Sequence, residues 1–278
     1  MSRHKIIISR KDLERLYCKE KKSKYKIADI YNCTTGTVLN RMREYGIKSW
    51  SRSIIQSKYA KKDFAGDKCE KAYIIGFRLG DLNVYQTASH SEVIVVRCHT
   101  TCVEQVDVMK KMFGKYGNVS GKANKDGSFA VNCFLNRSFD FLLKKEDRVD
   151  DWITENKEYS NYFAAGYIDA EANIGVYDGR ARFKIDTYDK NIILWFYDWF
   201  VKNNIDCPVP KKIGTKNQIC DKIKNYKYNK DLWRVRASEH KSLAVLFEIL
   251  LPILKHKKRK KDLIRCIKNL DERRTKKL

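Results

Sequence analysis

The feature that most constrains the fold of this chain is a segment that occurs twice, once from residue 72 to 84 and again from residue 162 to 174. The two copies read AYIIGFRLGDLNV and YFAAGYIDAEANI. Matching positions carry an aromatic residue, a glycine, a small residue, an acid and an asparagine. In chain order these pairs are Tyr73 and Phe163, Gly76 and Gly166, Gly80 and Ala170, Asp81 and Glu171, and Asn83 and Asn173. A duplicated pattern predicts two similar structural units within one chain.

The spacing of the small residues predicts that both segments are helices and that they pack against each other. Positions i and i+4 lie on one face of an α-helix, so Gly76 and Gly80 form a face almost without side chains. Gly166 and Ala170 form the same kind of face in the second copy. Two such faces let helix backbones approach closely. The acid that follows each face would then lie beside the other acid at the ends of the paired helices.

Two acids brought together in this way need a compensating positive charge. Asp81 and Glu171 would repel each other, and each would lie at the negative end of its own helix dipole. Divalent cations remove this cost, and carboxylate ligands completed by water suit Mg²⁺. We therefore expect Asp81 and Glu171 to be catalytic and to hold Mg²⁺, as two or more ions at the base of the helix pair. The alternative is a glycine-packed helix pair with two incidental acids.

The two segments resemble the LAGLIDADG signature of homing endonucleases, in the form that carries two repeats in a single chain. The second copy, AAGYIDAEA, is the closer match, and the first, IIGFRLGDL, is a looser variant. Leu82 and Ala172 stand in place of the closing glycine, and Leu79 replaces the first acid of the signature. Arg78 is an unexpected residue for a helix interface, so we expect it to point outward. Asp169 is expected to be solvated.

The resemblance implies an α+β fold, in which two pseudo-symmetric αββαββα repeats form a DNA-binding saddle. We expect these repeats at residues 71–157 and 158–278. Four segments have the composition or the polar–apolar alternation of strands, and they are residues 92–99, 128–135, 180–186 and 232–237. The remaining helices are predicted at residues 101–116, 137–145, 189–203 and 239–254.

Basic side chains take the outward positions of the two strands predicted in the second repeat. Ala181, Phe183 and Ile185 would pack on the helices, which leaves the alternate basic residues to face outward. A basic face on a concave sheet would contact the phosphates and some base edges of duplex DNA. The residues expected to make these contacts are Arg180, Arg182, Arg234 and Arg236.

The resemblance assigns catalytic roles to four more basic residues. In the family, a lysine just before the last helix pair lies near the metals, and Lys241 holds that position here, with Arg137 as its counterpart. The strand position of a polar, water-ordering residue falls on Lys184, with Arg97 as its partner. A nearby cation would stabilise the charge that grows on a phosphate in the transition state. The alternative for each of the four is a phosphate anchor on a basic surface.

Residues 1–48 are predicted to form a separate, all-helical domain. Helices are expected at residues 11–20, 24–31 and 35–45, and Gly46 ends the third helix. The string IADIYNCTTGTVLNRMREYGI resembles a helix-turn-helix of the resolvase type. That resemblance places the third helix in the DNA major groove, with Thr35, Thr37, Asn40, Arg41 and Arg43 facing bases or phosphates. The alternative is a three-helix bundle that packs against something else.

The charge of the chain indicates a polyanionic partner. The sequence has 58 Lys and Arg against 34 Asp and Glu, a net charge of +24. The excess is concentrated at the ends, with 17 against 5 in residues 1–62 and 12 against 3 in residues 255–278. Displacement of counterions from phosphates favours nucleic acid as the partner. Residues 49–70 are expected to be a basic linker that lies on the DNA backbone. A merely solubilising surface is the alternative.

The nine cysteines show no C-x-x-C pair. Cys18, Cys133 and Cys266 lie in apolar runs, so they are predicted to be buried free thiols in a reducing compartment. The segment CHTTC at residues 98–102 lacks a second pair of ligands, so zinc is not expected. The sequence also contains no recognisable signal peptide or membrane-spanning run, which predicts an intracellular protein of a prokaryotic cytoplasm or an organelle.

Together these features predict a site-specific, Mg²⁺-dependent homing endonuclease that makes a staggered double-strand break in DNA. Because both repeats lie in one chain, a monomer suffices and the long target site need not be palindromic. Two alternatives stay open: a maturase that binds intron RNA on the same scaffold, and a helix-turn-helix transcription regulator with an inactive LAGLIDADG-like domain. The retention of both acids favours the nuclease over the regulator.

Overall fold

The computed structural model describes residues 6–49, 60–89, 91–221 and 223–275. The chain divides into two compact units, Met1–Lys58 and Tyr59–Leu278. Part of the predicted basic linker, including Arg52 and Lys58, lies outside the described residues. The finer division of the chain into four segments stays a prediction. Within the described ranges, no helix is long and apolar enough to cross a membrane.

The first unit is a set of short helices around its own apolar core. Helix α1 (Arg10–Leu13) continues into a π-helical turn (Glu14–Lys19), and α2 (Lys24–Ile30) and α3 (Thr35–Glu44) follow. The three helical segments predicted in this part of the chain are therefore confirmed. The buried residues of this core are Ile8, Leu13, Leu16, Tyr17, Ile27, Ala28, Val38 and Met42.

Side-chain caps and one left-handed glycine set the ends of these helices. Ser23 and Thr34 each accept a hydrogen bond from a backbone N–H in the first turn of α2 and of α3. After α3, Gly46 adopts a φ of +68°, and the following N–H bonds back into the last turn of the helix. One sequence prediction is wrong here, because Cys18 lies on the solvent side of its helix and is exposed.

The second unit contains two successive repeats of helix, two strands, helix, two strands and helix, and the second repeat has an additional two-stranded hairpin and an additional final helix. The first comprises α4 (Lys68–Asp81), β1 (Asn83–Gln86), β2 (Ile94–Thr100), α5 (Val103–Phe113), β3 (Asn118–Ala123), β4 (Phe129–Leu135) and a 3₁₀-helix (Arg137–Leu142). After α6 (Asp151–Thr154), the second comprises α7 (Lys157–Glu171), β5 (Asn173–Tyr177), β6 (Arg180–Thr187), α8 (Lys190–Lys202), β7 (Lys211–Gly214), β8 (Ile219–Asp221), β9 (Tyr226–Lys227), β10 (Leu232–Ala237), α9 (His240–Leu250) and α10 (Lys257–Thr275). The predicted α+β class is confirmed.

Each repeat contributes one four-stranded antiparallel sheet, and the two sheets have the same topology. Their strand orders are β1-β2-β4-β3 and β5-β6-β10-β7, and the second repeat adds a β8–β9 hairpin between β7 and β10. Asn83 pairs with Arg97 in the first sheet, and Asn173 pairs with Lys184 in the second. The equivalent residues of β2 and β6 therefore differ by 87 positions, since 184 minus 97 is 87.

Helices α4 and α7 pack through their glycine faces, as the sequence predicts. A Cβ added to Gly76 would lie 2.2 Å from the carbonyl oxygen of Phe163, and one added to Gly166 would lie 2.0 Å from that of Tyr73. Phe163 and Tyr73 are themselves matching positions of the two copies, so the two contacts are equivalent. The helices are thus related by a pseudo-two-fold axis, at a separation that only glycine permits.

The end of the glycine face gives a test of this close packing. A Cβ on Gly80 would lie 2.5 Å from the Cβ of Ala170, so the contact has room for one methyl group and not for two. Gly80→Ala is expected to lower the free energy of unfolding by about 1 to 3 kcal/mol through overpacking. The exchange Gly80→Ala with Ala170→Gly restores one methyl group and should recover most of this loss in urea unfolding. Equal unfolding midpoints for the single and the double variant would contradict the contact.

Arg78 lies buried in α4, contrary to the prediction that it points outward. It is 4% exposed, its Nε donates to the carbonyl oxygen of Leu142 at 2.9 Å, and its Nη1 donates to that of Leu82. The first acceptor ends the 3₁₀-helix and the second follows α4, so the guanidinium satisfies carbonyl groups at two helix ends. The prediction fails because Leu142 lies 64 residues away in the chain, where local spacing does not reveal it.

Asp169 is also buried, so the prediction that it is solvated is wrong. Its Oδ2 accepts hydrogen bonds from the hydroxyl of Tyr73 at 2.5 Å and from the backbone N–H groups of Lys255 and His256 at 2.7 and 3.1 Å. Burial raises the pKa of Asp169, and these three donors oppose the rise. The carboxyl group thereby connects α7 with α4 and with the segment that leads into α10.

Candidate active site

Asp81 and Glu171 are the last residues of α4 and α7, and the structure brings them together at the same end of the helix pair. A Cβ on Gly80 would lie 3.0 Å from Cγ of Glu171 and 3.7 Å from its Oε1. The side chain of Glu171 therefore lies against the residue that precedes Asp81. One acid comes from each repeat, as the sequence predicts for these helix ends.

The surroundings of the two acids disfavour their charged forms. Partial burial raises the pKa of Asp81, and burial together with the charge of Asp81 raises the pKa of Glu171. Asp189, at the start of α8, raises the pKa of Glu171 further. The basic side chains that oppose both shifts are Lys145 and Arg259. The site therefore holds an excess of negative charge in a half-buried place.

The carboxylate of Asp81 is held by two neighbouring donors. Gln105 Nε2 donates to Asp81 Oδ2 at 2.5 Å, and Cys98 Sγ donates to the same oxygen at 3.3 Å. Burial and the charge of Asp81 raise the pKa of Cys98 to about 12, so this thiol stays protonated and able to donate. Among the described residues, none donates a hydrogen bond to Asp81 Oδ1 or to Glu171.

The donor set at the helix ends fits a hard divalent cation. Carboxylate oxygens are the ligands that Mg²⁺ prefers, and a cation would relieve the charge that burial makes unfavourable at Asp81 and Glu171. Within the described ranges, no group of three or more His, Cys, Asp and Glu side chains could hold a metal by itself. Water or substrate oxygens would therefore have to complete the coordination shell.

Sequence reasoning missed Lys145 and Arg259. The α-helix predicted for residues 137–145 is wrong, because a 3₁₀-helix ends at Leu142 and leaves Lys145 in the connection beyond it. Arg259 lies in the first turn of α10, and its Nε is buried with no hydrogen-bond partner in the described part of the chain. Five consecutive basic residues, 257–261, gave no signal to show which of them faces inward.

The four basic residues predicted for catalysis are either partnered elsewhere or exposed. The partnered atoms are Arg97 Nε with Asn132 Oδ1 at 2.9 Å, Lys184 Nζ with Asp186 Oδ2 at 3.5 Å, and Arg137 Nη2 with Asp140 Oδ2 at 3.2 Å. Lys241 is exposed in the first turn of α9. Their catalytic roles stay predictions. Lys145 and Arg259 are the basic side chains whose charge lowers the pKa of both acids.

A groove of about 500 Å³ on the outer face of the second sheet contains the predicted DNA contacts. Its basic lining consists of Arg180, Arg182, Lys184, Arg234 and Arg236. The predicted alternation along β6 is confirmed, since Ala181, Phe183 and Ile185 are buried on the opposite face. Asn173 also lines the groove and follows Glu171 by two residues, so the basic surface begins beside the acid pair.

The residues predicted to read DNA from the first unit all lie on α3. Asn40 and Arg43 are exposed, whereas Arg41 forms an ion pair with Glu44. Thr35 is half-buried, and Thr37 Oγ1 lies 3.1 Å from the hydroxyl of the helix cap. Asn40 and Arg43 are therefore the members of this set that are most available to a partner.

The sequence matches no protein-family profile and no curated protein. Among solved structures, the homing endonuclease I-WcaI bound to its DNA recognition sequence is 14% identical over 71% of this chain and 86% of that chain, with a TM-score of 0.48. I-DmoI in complex with DNA and Ca is 11% identical over 66% of this chain and 90% of that chain, with a TM-score of 0.45. Full-length DUF199/WhiA from Thermatoga maritima is 11% identical over 76% of this chain and 62% of that chain, with a TM-score of 0.46.

Proposed function

We propose that the chain is a site-specific, divalent-metal-dependent DNA endonuclease that makes a staggered double-strand break. The observation that carries this proposal is the meeting of Asp81 and Glu171 at the ends of two helices related by a pseudo-two-fold axis. The backbones of a DNA duplex are themselves related by two-fold symmetry, so one acid for each strand is a natural match. Because both repeats lie in one chain, a monomer would cut a target that is not palindromic.

Mg²⁺ is the cation that we propose for this site, as two or more ions held by Asp81 and Glu171. When bound, it would polarise the scissile phosphate and lower the pKa of an attacking water. Lys145 and Arg259 place positive charge beside the two acids, where it would offset the charge that develops on the phosphate. Because the two carboxylates are half-buried, part of the solvent is excluded from them, and this strengthens the electrostatic interactions.

Duplex DNA is the proposed substrate because a basic groove begins beside the acids. The groove on the second sheet presents basic side chains from β6 and β10, and a surface of this kind contacts phosphates and base edges. We further propose that α3 of the first unit reads additional bases, which would lengthen the target. All nine cysteines are free, which fits the reducing intracellular compartment that we propose for the protein.

Incubation with a plasmid library that carries randomised inserts tests the proposed function. With Mg²⁺, the protein should linearise a small subset of plasmids, and sequencing of the broken ends should give one extended target with staggered nicks. EDTA should prevent cutting, and the variant Asp81→Asn/Glu171→Gln should leave the library intact. The absence of cutting by the parent protein, or equal cutting by this double variant, would contradict the proposal.

A pair of arginines on β10 tests the DNA-binding groove. Arg236 is exposed with no ion pair among the described residues, whereas Arg234 donates to both oxygens of Asp186 at 2.6 Å. If Arg236 neutralises a phosphate, Arg236→Ala should reduce the slope of log affinity against log salt by about 0.9, as measured by fluorescence anisotropy. Arg234→Ala is the matched control and should change the slope less. Equal slopes for the parent and Arg236→Ala would exclude this contact.

A further inference from the structure

The two repeats can be aligned residue by residue in the strand and helix that follow each acid. Strands β2 and β6 are equivalent at an offset of 87 residues. Helices α5 and α8 begin at Val103 and Lys190, which are also 87 residues apart. The same alignment therefore holds from the strand into the following helix. It identifies the residue of β6 or α8 that occupies the place of a given residue in β2 or α5.

This alignment shows that the two positions that donate hydrogen bonds to Asp81 carry chemically different residues in the second repeat. Cys98 corresponds to Ile185, and Gln105 corresponds to Ile192. Gln105 and Cys98 both donate to Asp81 through their side chains, whereas the side chains of Ile185 and Ile192 are fully buried and have no polar hydrogen to donate. The acid of the second repeat therefore lacks the donors that hold its counterpart.

The burial of Gln105 in the core costs free energy, and its hydrogen bond to Asp81 offsets that cost. Gln105 is 5% exposed on the core-facing side of α5, and a buried carboxamide is unfavourable unless it is hydrogen-bonded. The other repeat has an isoleucine in this place, which packs without that cost. The bond to Asp81 Oδ2 fixes the carboxylate and leaves Oδ1 without a protein donor.

We propose that Gln105, assisted by Cys98, is a positioning residue for Asp81 alone, and that the two DNA strands are therefore cut at different rates. This inference rests on the proposed function. Asp81 is already ordered before a cation binds, whereas the longer side chain of Glu171 must lose its rotamer freedom at that moment. Partners that orient a metal ligand change metal affinity or activity by about 10- to 100-fold. The strand served by Asp81 is cut first, and a nicked intermediate accumulates.

Strand-resolved single-turnover cutting of the selected target tests this inference. Each strand carries its own label, and the strand that Asp81→Asn slows more is assigned to Asp81. Gln105→Met keeps the size of the side chain but removes its donor, and it should slow that strand by about tenfold. Ile192→Met places the same side chain in the equivalent position and should slow neither strand. Equal slowing of both strands by Gln105→Met, or none, overturns the proposal.

Titration of Mn²⁺ by calorimetry, with no DNA present, gives a readout that does not depend on cutting. Gln105→Met should weaken the binding of Mn²⁺ by about tenfold, while Ile192→Met binds it as the parent does. Equal affinities for the parent and Gln105→Met overturn the positioning role. If the parent cuts no DNA, the proposed endonuclease fails, and the titration still decides whether Gln105 orders Asp81 for a cation.

Discussion

Gly166→Ala is expected to destabilise the second unit severely and to abolish the proposed cutting of DNA. The added Cβ would lie 2.0 Å from the carbonyl oxygen of Tyr73 and 3.0 Å from the backbone nitrogen of Phe77. Both atoms are backbone of the partner helix, so no side chain can move aside. The helices must separate, and we expect a loss of about 3 kcal/mol or more in the free energy of unfolding. Chemical denaturation followed by circular dichroism measures this loss.

The matched control is the same change in a helix with open space. A Cβ on Gly36, in α3, would meet only Thr34 Oγ1 at 3.6 Å, an ordinary contact. Gly36→Ala should therefore keep or raise stability, since alanine favours a helix over glycine by about 1 kcal/mol. If Gly166→Ala unfolds at the same denaturant concentration as the parent, the close approach of α4 and α7 is wrong.

Asp81→Asn/Glu171→Gln is expected to cut DNA at least about a thousandfold more slowly, because the cation would supply several kcal/mol of transition-state stabilisation. The same variant should be more stable than the parent when no metal is present. Burial raises the pKa of both acids, so their charged forms destabilise the fold. Removal of charge by amides of the same shape relieves that cost, as calorimetric melting in EDTA should show.

The pH dependence of this stability difference has a definite sign. An acid whose pKa is raised by folding costs stability above the raised pKa, and the cost disappears as the pH falls below its ordinary value. The advantage of the double variant in melting temperature should therefore shrink as the pH falls toward the ordinary pKa of the two acids. Asp198→Asn, which removes an exposed acid of α8, is the control. It should neither slow cutting nor show this gain in melting temperature. If the double variant is less stable than the parent without metal, the claim that the charged forms of Asp81 and Glu171 destabilise the fold is wrong.

The sequence was sufficient to predict the helix pair and the sheet face because both depend on short, regular spacings. Gly76 and Gly166 place a side-chain-free face one turn before each acid, and few arrangements other than helix-on-helix packing use such a face. Along β6, strict alternation separates buried from outward residues, as a pleated strand requires. These periods are local, so the residues themselves contain the information.

The buried polar residues could not be predicted, because their partners are distant in the chain. Asp169 takes its donors from Tyr73 and from the segment before α10, and Gln105 reaches Asp81 across the fold. A polar residue on a helix is usually solvated, so its sequence position alone favours exposure. Lys145 was missed for a further reason, since the 3₁₀-helix before it ends three residues earlier than the predicted α-helix.

The most direct test of the acid pair as a cation site is the titration of Mn²⁺ into the protein bound to its duplex. Asp81→Asn/Glu171→Gln is compared with the parent, and calorimetry measures the number and affinity of the bound ions. We expect the parent to bind Mn²⁺ and the double variant to lose this binding while it still holds the duplex. Equal binding of Mn²⁺ by the two proteins would show that Asp81 and Glu171 are not its ligands.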